Sequence, residues 1–264
     1  MERVSSRHNP LVREFRALAR SGGRDGRVLL DGEHLLTEAL ASGVDVEVAA
    51  ALDGALPERI VQDLRSHGTR VIIIAPAVLA AVSPVRQPSG VVAIARLRST
   101  ALSGVMERPP QLVLLLAGVQ DPGNVGAIVR AAEACGATGV VCTAGSADPF
   151  GWKALRGSMG SALRVPIASK ASADAALETA RAYGLALVAA VPRGGTPLPV
   201  CDLRPPAMIL LGGEGPGLTG AALRAADARV TVPMRAPVES MNVAAVAAIV
   251  LYEAARQRAG EGIA

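Results

Sequence analysis

From residue 111 onward, short apolar runs alternate with alanine-rich segments whose apolar residues recur every three or four positions. The runs 112–118, 139–143, 185–191, 207–211 and 229–232 read as strands, and 125–135, 154–157, 172–183, 221–225 and 243–258 as helices. This alternation predicts an α/β fold with a mainly parallel sheet, because parallel neighbours need a crossover and a helix is what fills it. Ligands of such sheets gather beyond the carboxyl ends of the strands. The residues that follow each run are therefore the candidates for function.

Three constellations fall at such places. Asp121-Pro122-Gly123-Asn124-x-Gly126 follows the 112–118 run and opens a helix, with Arg130 about two turns in. As plain structure it is a turn, with Asn124 as the helix cap. The 208–218 stretch, MILLGGEGPGL, runs an apolar strand into Gly212, Gly213, Gly215 and Gly217 around Glu214. Bare backbone there lets a close-fitting ligand approach. The 232–242 stretch, VPMRAPVESMN, sets Val232, Met234, Ser240, Met241 and Asn242 before a long apolar helix, where Ser240 or Asn242 suits the cap. Gly215 to Gly220 also matches GxGxxG literally, but Glu239, the acid a dinucleotide ribose would need, lies beyond Pro237 in a loop rather than at a strand end.

The first hundred residues form a separate α/β unit, with strands at 28–30, 46–52, 70–74 and 90–95 and helices at 33–41, 57–66 and 76–81. The aperiodic stretch 99–110, closing on Pro109-Pro110, reads as a linker, which divides the chain into 1–98, 99–110 and 111–264. Residues 1–27 hold seven arginines, Arg24 among them, against three acids, a surplus equal to the +4 of the whole chain. Asn9 and Pro10 start a helix there. Leu11, Val12, Phe15, Leu18 and Ala19 form its apolar stripe, and Arg13, Arg16 and Arg20 share another face. With Arg7, that face suits phosphate oxygens, though an arginine-rich protein also places such residues on solvated faces.

Composition narrows the chemistry. Half the 264 residues are hydrophobic but only 2% are aromatic, so the cores rest on Val, Leu, Ile and Ala, and a nucleic-acid partner would be held through phosphate, shape and arginine rather than base stacking. The longest apolar run, 243–252, has ten residues, short of the roughly 18 that span a bilayer. With its polar start, MERVSSRHN, the chain is expected in the cytoplasm, away from membranes. Three scattered cysteines and three distant histidines predict neither disulfides nor a metal site.

Taken in order, DPGNVGAIVRAAEACGA, ILLGGEGPGL and VPMRAPVESMNVAAVAAIVLYEAARQR resemble the three signature motifs of the SpoU (TrmH) family of the SPOUT superfamily, RNA ribose 2′-O-methyltransferases. RGSMGSALRVP also looks like that family, and SSRHNPLVREFRALAR with LLDGEHLLTEAL is similar to the N-terminal substrate-binding domain of members acting on ribosomal RNA. The resemblance implies a trefoil-knotted C-terminal methyltransferase domain preceded by a small α/β/α RNA-binding domain, with S-adenosylmethionine as cofactor and a homodimer as the working form. It places Gly212, Gly213, Val232, Met234 and Met241 at the cofactor, with the 191–195 loop beginning at Val191 as another wall. Asn124, Arg130, Glu214, Ser240 and Asn242 would surround the ribose. A guanidinium is a poor base, so Arg130 is expected to clamp a phosphate and orient the 2′-hydroxyl, and Glu214 to hold backbone amides or brace Arg130, with acceptance of the hydroxyl proton by Glu214 as the alternative. Transfer RNA as substrate, and a non-catalytic RNA-binding protein of the same fold, are the alternatives.

Overall fold

The structure is a computed structural model in which residues 2–21, 23, 25–109, 111–215 and 217–259 are described. Arg24, Pro110 and Pro216, which figure in the basic segment, the linker and the glycine motif, lie outside the described residues. The chain forms two compact units, Met1–Arg98 with Phe150–Arg164, and Ser99–Pro149 with Val165–Ala264.

The first unit holds a mixed sheet in the order β1-β4-β3-β5-β2, from β1 (Glu2–Val4), β2 (Arg27–Asp31), β3 (Asp45–Ala51), β4 (Arg70–Ile74) and β5 (Val91–Arg96). Helices α1 (Pro10–Ser21) and α4 (Pro76–Val82) cover one face, where Val12, Phe15 and Leu18 meet Leu29, Val48, Ile72 and Ile94. Alternate strand residues point to the opposite face. On that side α2 (Glu33–Ala41) and α3 (Glu58–Ser66) bury Leu35, Leu36, Ile60 and Leu64. The unit is thus an α/β/α sandwich. Asn9 starts α1 as its sequence predicts: its Oδ1 accepts from the Leu11 N–H at 2.9 Å, and Pro10 takes the first helical position.

Two segments behave differently from their reading in the sequence. Residues 99–110 carry a short helix, α5 (Leu102–Met106), whose Val105 and Met106 are fully buried in the core of the second unit. Gly104 in its middle hides the helical spacing. The segment Phe150–Arg164 joins the first unit: Trp152, at the start of α7 (Trp152–Ser158), packs against the α1/α4 core. Arg164 pairs with Glu38, and Arg156 lies 3.9 Å from the buried Asp31.

The second unit holds seven parallel strands in the order β10-β12-β9-β11-β6-β7-β8. They are β6 (Leu112–Ala117), β7 (Gly139–Thr143), β8 (Ile167–Ala171), β9 (Ala186–Ala190), β10 (Thr196–Pro197), β11 (Ala207–Gly212) and β12 (Ala228–Thr231). Helices α6 (Pro122–Ala134), α8 (Ala173–Ala182) and α9 (Gly220–Ala225) lie in crossovers between strands, and the last helix, α10 (Val243–Arg258), follows β12 and packs against α6. β11 slots between β9 and β6, buried from Ala207 to Leu211, as expected of a strand covered on both faces. Strand order runs β6-β7-β8 towards one edge and then jumps to β9 on the far side of β11. This reversal opens a crevice at the carboxyl ends, the place where doubly wound sheets bind ligands.

Candidate active site

At that crevice lies a cavity of about 400 Å³ built by three loops. Val191 and Pro192 come from the end of β9, Leu211 to Gly215 with Gly217 and Leu218 from the end of β11, and Val232, Met234, Ser240 and Met241 from the stretch after β12. Val243 and Val246 of α10 close the apolar side. All six residues assigned to the cofactor by sequence, Gly212, Gly213, Val232, Met234, Met241 and Val191, line it, together with Glu214 and Ser240.

Two of its glycines are sterically obligatory. A Cβ on Gly212 would lie 2.4 Å from both the Gly217 carbonyl carbon and the Leu218 nitrogen, and one on Gly213 would lie 1.8 Å from the Gly118 oxygen. The strand end can fold back on itself, and lie on the turn after β6, only without side chains. The resulting wall is main chain. It offers N–H and C=O groups at fixed positions beside apolar side chains, the usual make-up of a small-molecule site of this size.

A hydrogen-bonded chain of side chains joins this wall to two helix starts. Asn242 caps α10, its Oδ1 accepting from the Ala244 and Ala245 N–H groups at 2.9 and 3.3 Å. Its Nδ2 donates to Asn124 Oδ1 at 3.0 Å, and Asn124 Nδ2 donates to Glu214 Oε1. Because the cap fixes which end of the Asn242 amide accepts, the direction of the whole chain follows, with the Glu214 carboxylate as terminal acceptor. The cap of α6 is Asp121 rather than Asn124: Asp121 Oδ1 accepts the Asn124 N–H at 2.8 Å and Pro122 fills the first turn. This releases the Asn124 side chain for the network. Likewise, Asn242 and not Ser240 caps α10, and Glu214 holds a side-chain amide rather than backbone amides or Arg130.

Arg130 stands apart. It lies about 9 Å along α6 from Asn124 and about a third of a turn round, is exposed, and its side chain has no hydrogen bond or ion pair among the described residues. Ser240 is also exposed, with a hydroxyl that makes no hydrogen bond among the described residues. In the first unit, Arg13, Arg16 and Arg20 are exposed on α1; Arg20 Nε reaches only the Arg16 carbonyl at 3.2 Å, and Arg7 donates to the Ala77 carbonyl at 3.1 Å. Neither Arg13 nor Arg16 has a side-chain partner among the described residues.

Pro192 lines the cavity as the 191–195 wall predicts, whereas Leu218 and Val246 are wall residues that the sequence does not reveal, as is the exposed Arg193–Glu239 pair at 3.2 Å that joins two of the cavity loops. Their types are ordinary for loops and carry no signal before the fold is known. No reactive thiol competes as a nucleophile: burial, with a smaller contribution from Asp148, pushes Cys142 up to about 12. No group of three or more His, Cys, Asp or Glu residues suited to a metal occurs among the described residues.

Residues 111–252 match the SpoU rRNA Methylase family, and residues 9–93 match the MRM3-like substrate binding domain. The chain belongs to the SpoU rRNA methylase family. An uncharacterized tRNA/rRNA methyltransferase of Synechocystis is 35% identical over 262 residues, covering 97% of this chain and 94% of that protein. The 23S rRNA (guanosine(2553)-2'-O)-methyltransferase RlmP of Bacillus subtilis is 29% identical over 254 residues, covering 96% of this chain and 98% of its own. The AdoMet-bound rRNA methyltransferase of Sinorhizobium meliloti has TM-score 0.87 at 29% identity, covering 96% of this chain and 97% of that one. The SpoU methyltransferase AviRb of Streptomyces viridochromogenes, also bound to AdoMet, has TM-score 0.86 at 29% identity, covering 96% and 99%. The seven-stranded unit of this SpoU-family chain is accordingly a SPOUT methyltransferase domain.

Proposed function

We propose that this SpoU-family protein is an S-adenosylmethionine-dependent methyltransferase that modifies a ribose 2′-hydroxyl of ribosomal RNA. The observation that carries this reading is the glycine-walled cavity, joined at its rim to the Asn242–Asn124–Glu214 chain and to the unpartnered Ser240 hydroxyl. The cavity fits the cofactor in kind, since main-chain groups at Gly212 and Gly213 suit the polar parts of a nucleoside, and Val232, Met234, Met241 and Val246 suit its apolar surface. When bound, S-adenosylmethionine supplies an electrophilic methyl group on sulfur. Everything else is asked of the chain itself.

Holding a nucleophile in line can contribute about 7 to 11 kcal/mol, whereas a general base contributes roughly 3 to 5 kcal/mol. The site is built for the former. Ser240 and Asn242 stand where a ribose edge would meet hydroxyl and amide groups, and Glu214 with Asn124 keeps the glycine loop at the start of α6. The free guanidinium of Arg130 suits a backbone phosphate and, through it, the orientation of the 2′-hydroxyl. In the first unit, Arg7, Arg13, Arg16 and Arg20 provide phosphate contacts that position RNA without reading bases. Ribosomal RNA is favoured over transfer RNA because the first unit matches a substrate-binding domain and RlmP, similar over nearly its whole length, acts on 23S rRNA.

The protein is further proposed to act in the cytoplasm as a homodimer, with its C-terminal chain tied in a trefoil knot. The outward stripe of α10, where Ile249 and Tyr252 are 38% and 61% exposed, supports a second copy as the occupant of that face. The side-chain-free passages at Gly212 and Gly213 support a threaded chain. Mapping 2′-O-methyl groups in ribosomal RNA from cells with and without the gene tests the activity. Loss of one ribose methylation is expected; an unchanged pattern would overturn it.

A further inference from the structure

After β6 the backbone turns at Gly118, in the left-handed region at φ +74°, before reaching Asp121 and Asn124. Side chains from the end of β7 and the loop beyond it hold this turn. The Gly118 N–H is shared between Thr143 Oγ1 at 3.2 Å and Ser146 Oγ at 3.1 Å. The Val119 N–H also donates to Ser146 Oγ, at 3.2 Å, and the Ser146 hydroxyl donates to the Leu116 carbonyl at 2.7 Å. A serine hydroxyl has one proton and two lone pairs; here all are spent on a single bend of main chain. The neighbouring Ala147 N–H donates to the Val119 carbonyl at 2.8 Å, fixing the same bend from its other end.

The Gly118 carbonyl made rigid in this way is the surface on which the glycine loop rests, since a Cβ on Gly213 would come within 1.8 Å of it. One residue beyond Gly213, Glu214 accepts the Asn124 amide, and Asn124 itself lies six residues beyond Gly118. Ser146 thus controls a bend that two halves of the site share. We propose that Ser146 is a positioning residue for methyl transfer, setting the exit of β6 so that Asn124 and the Gly213–Glu214 loop meet at the geometry the ribose requires. The inference rests on the function proposed above, and it concerns a residue outside all three sequence motifs.

Single-turnover methylation of ribosomal RNA at saturating S-adenosylmethionine, compared among wild type, Ser146→Ala, Ser146→Thr, Asn124→Ala and the Ser146→Ala/Asn124→Ala double variant, tests this. Ser146→Ala is expected to slow the step by about tenfold or more, as misplacement of a nucleophile by fractions of an ångström does, with the KM for RNA within about threefold. Ser146→Thr, which keeps the hydroxyl, is expected within about threefold of wild type. In the Asn124→Ala background, Ser146→Ala is expected to cost less than about threefold more, because the two act through one arrangement. Thermal unfolding sets the assay temperature well below every melting transition. Should Ser146→Ala fail to fold, Ser146→Cys, similar in shape but a weak donor, replaces it. A wild-type rate in Ser146→Ala, or fully additive losses in the double variant, would overturn the proposal while leaving the function standing. A wild-type protein that transfers no methyl group to RNA would overturn both.

Discussion

The two units are built of different materials. In the second, a fully parallel sheet delivers main chain to one crevice, and the wall depends on the absence of side chains at Gly212 and Gly213. In the first, a mixed sheet between helices presents long charged side chains on α1, with Arg13 and Arg16 unpartnered among the described residues. The contrast teaches where tolerance lies. A backbone-built pocket has no slack at its glycines, whereas an arginine face spreads its binding energy over several residues, each replaceable at modest cost.

The sharpest test of that contrast is Arg130→Ala, which removes a side chain belonging to neither material. Methylation is expected to fall by about a thousandfold or more, the scale seen when a single preorganised charge is removed. Affinity for S-adenosylmethionine should stay within about threefold, since Arg130 does not line the cavity. Calorimetric loss of cofactor binding would contradict the assignment. Next in size is Gly213→Ala, whose new Cβ would overlap the Gly118 carbonyl. It is expected to cost about 4 kcal/mol or more of stability, read by denaturant unfolding, with cofactor binding lost; a folded, binding-competent variant would break the claim that this wall has no slack.

The legibility of the sequence follows the same division. Glycine clusters and Asp-Pro-Gly are local signals, so the six residues that the sequence points to as a binding wall do line one cavity, and the alternation of runs predicts the parallel sheet. What could not be read depends on distant partners. Asn124 reads as a cap in the sequence, whereas in the fold Asp121 accepts its N–H; Ser146 carries no signal in the sequence, and gains its role only where the end of β6 lies beside it. The short β8 carries exposed Lys170 at positive φ just before its last residue, and α5 contains Gly104, so neither shows clean periodicity. Segment 150–164 belongs to the second unit by sequence position and to the first by packing, a swap that no periodicity records.

A smaller effect is expected from the arginine face. Replacing Arg13, Arg16 and Arg20 with alanine should raise the KM for RNA about ten- to a hundredfold at low salt, nearly alike for all sequences, and flatten the slope of log affinity against log salt by about 2 to 3. A sequence-selective loss would show that α1 reads bases. Smaller still is the effect of Asp31, which burial holds above its ordinary value of 3.8, against the pull of Ser83 and Arg156. A carboxyl raised on folding binds its proton more tightly in the native state, so its contribution to stability falls as pH rises above 3.8. Asp31→Asn should remove that slope, leaving the difference in melting temperature between variant and wild type pH-dependent in mildly acidic buffer and flat above it. A difference constant with pH would exclude Asp31 as the titrating group.

The glycine-walled cavity and its amide chain are tested most directly by what they do to RNA. Incubating the purified protein with methyl-labelled S-adenosylmethionine and ribosomal RNA, then digesting to nucleosides for mass spectrometry, measures this directly. The label is predicted on a 2′-O-methylnucleoside from one site; label on a base, or RNA left unlabelled by protein that binds the cofactor, would contradict it.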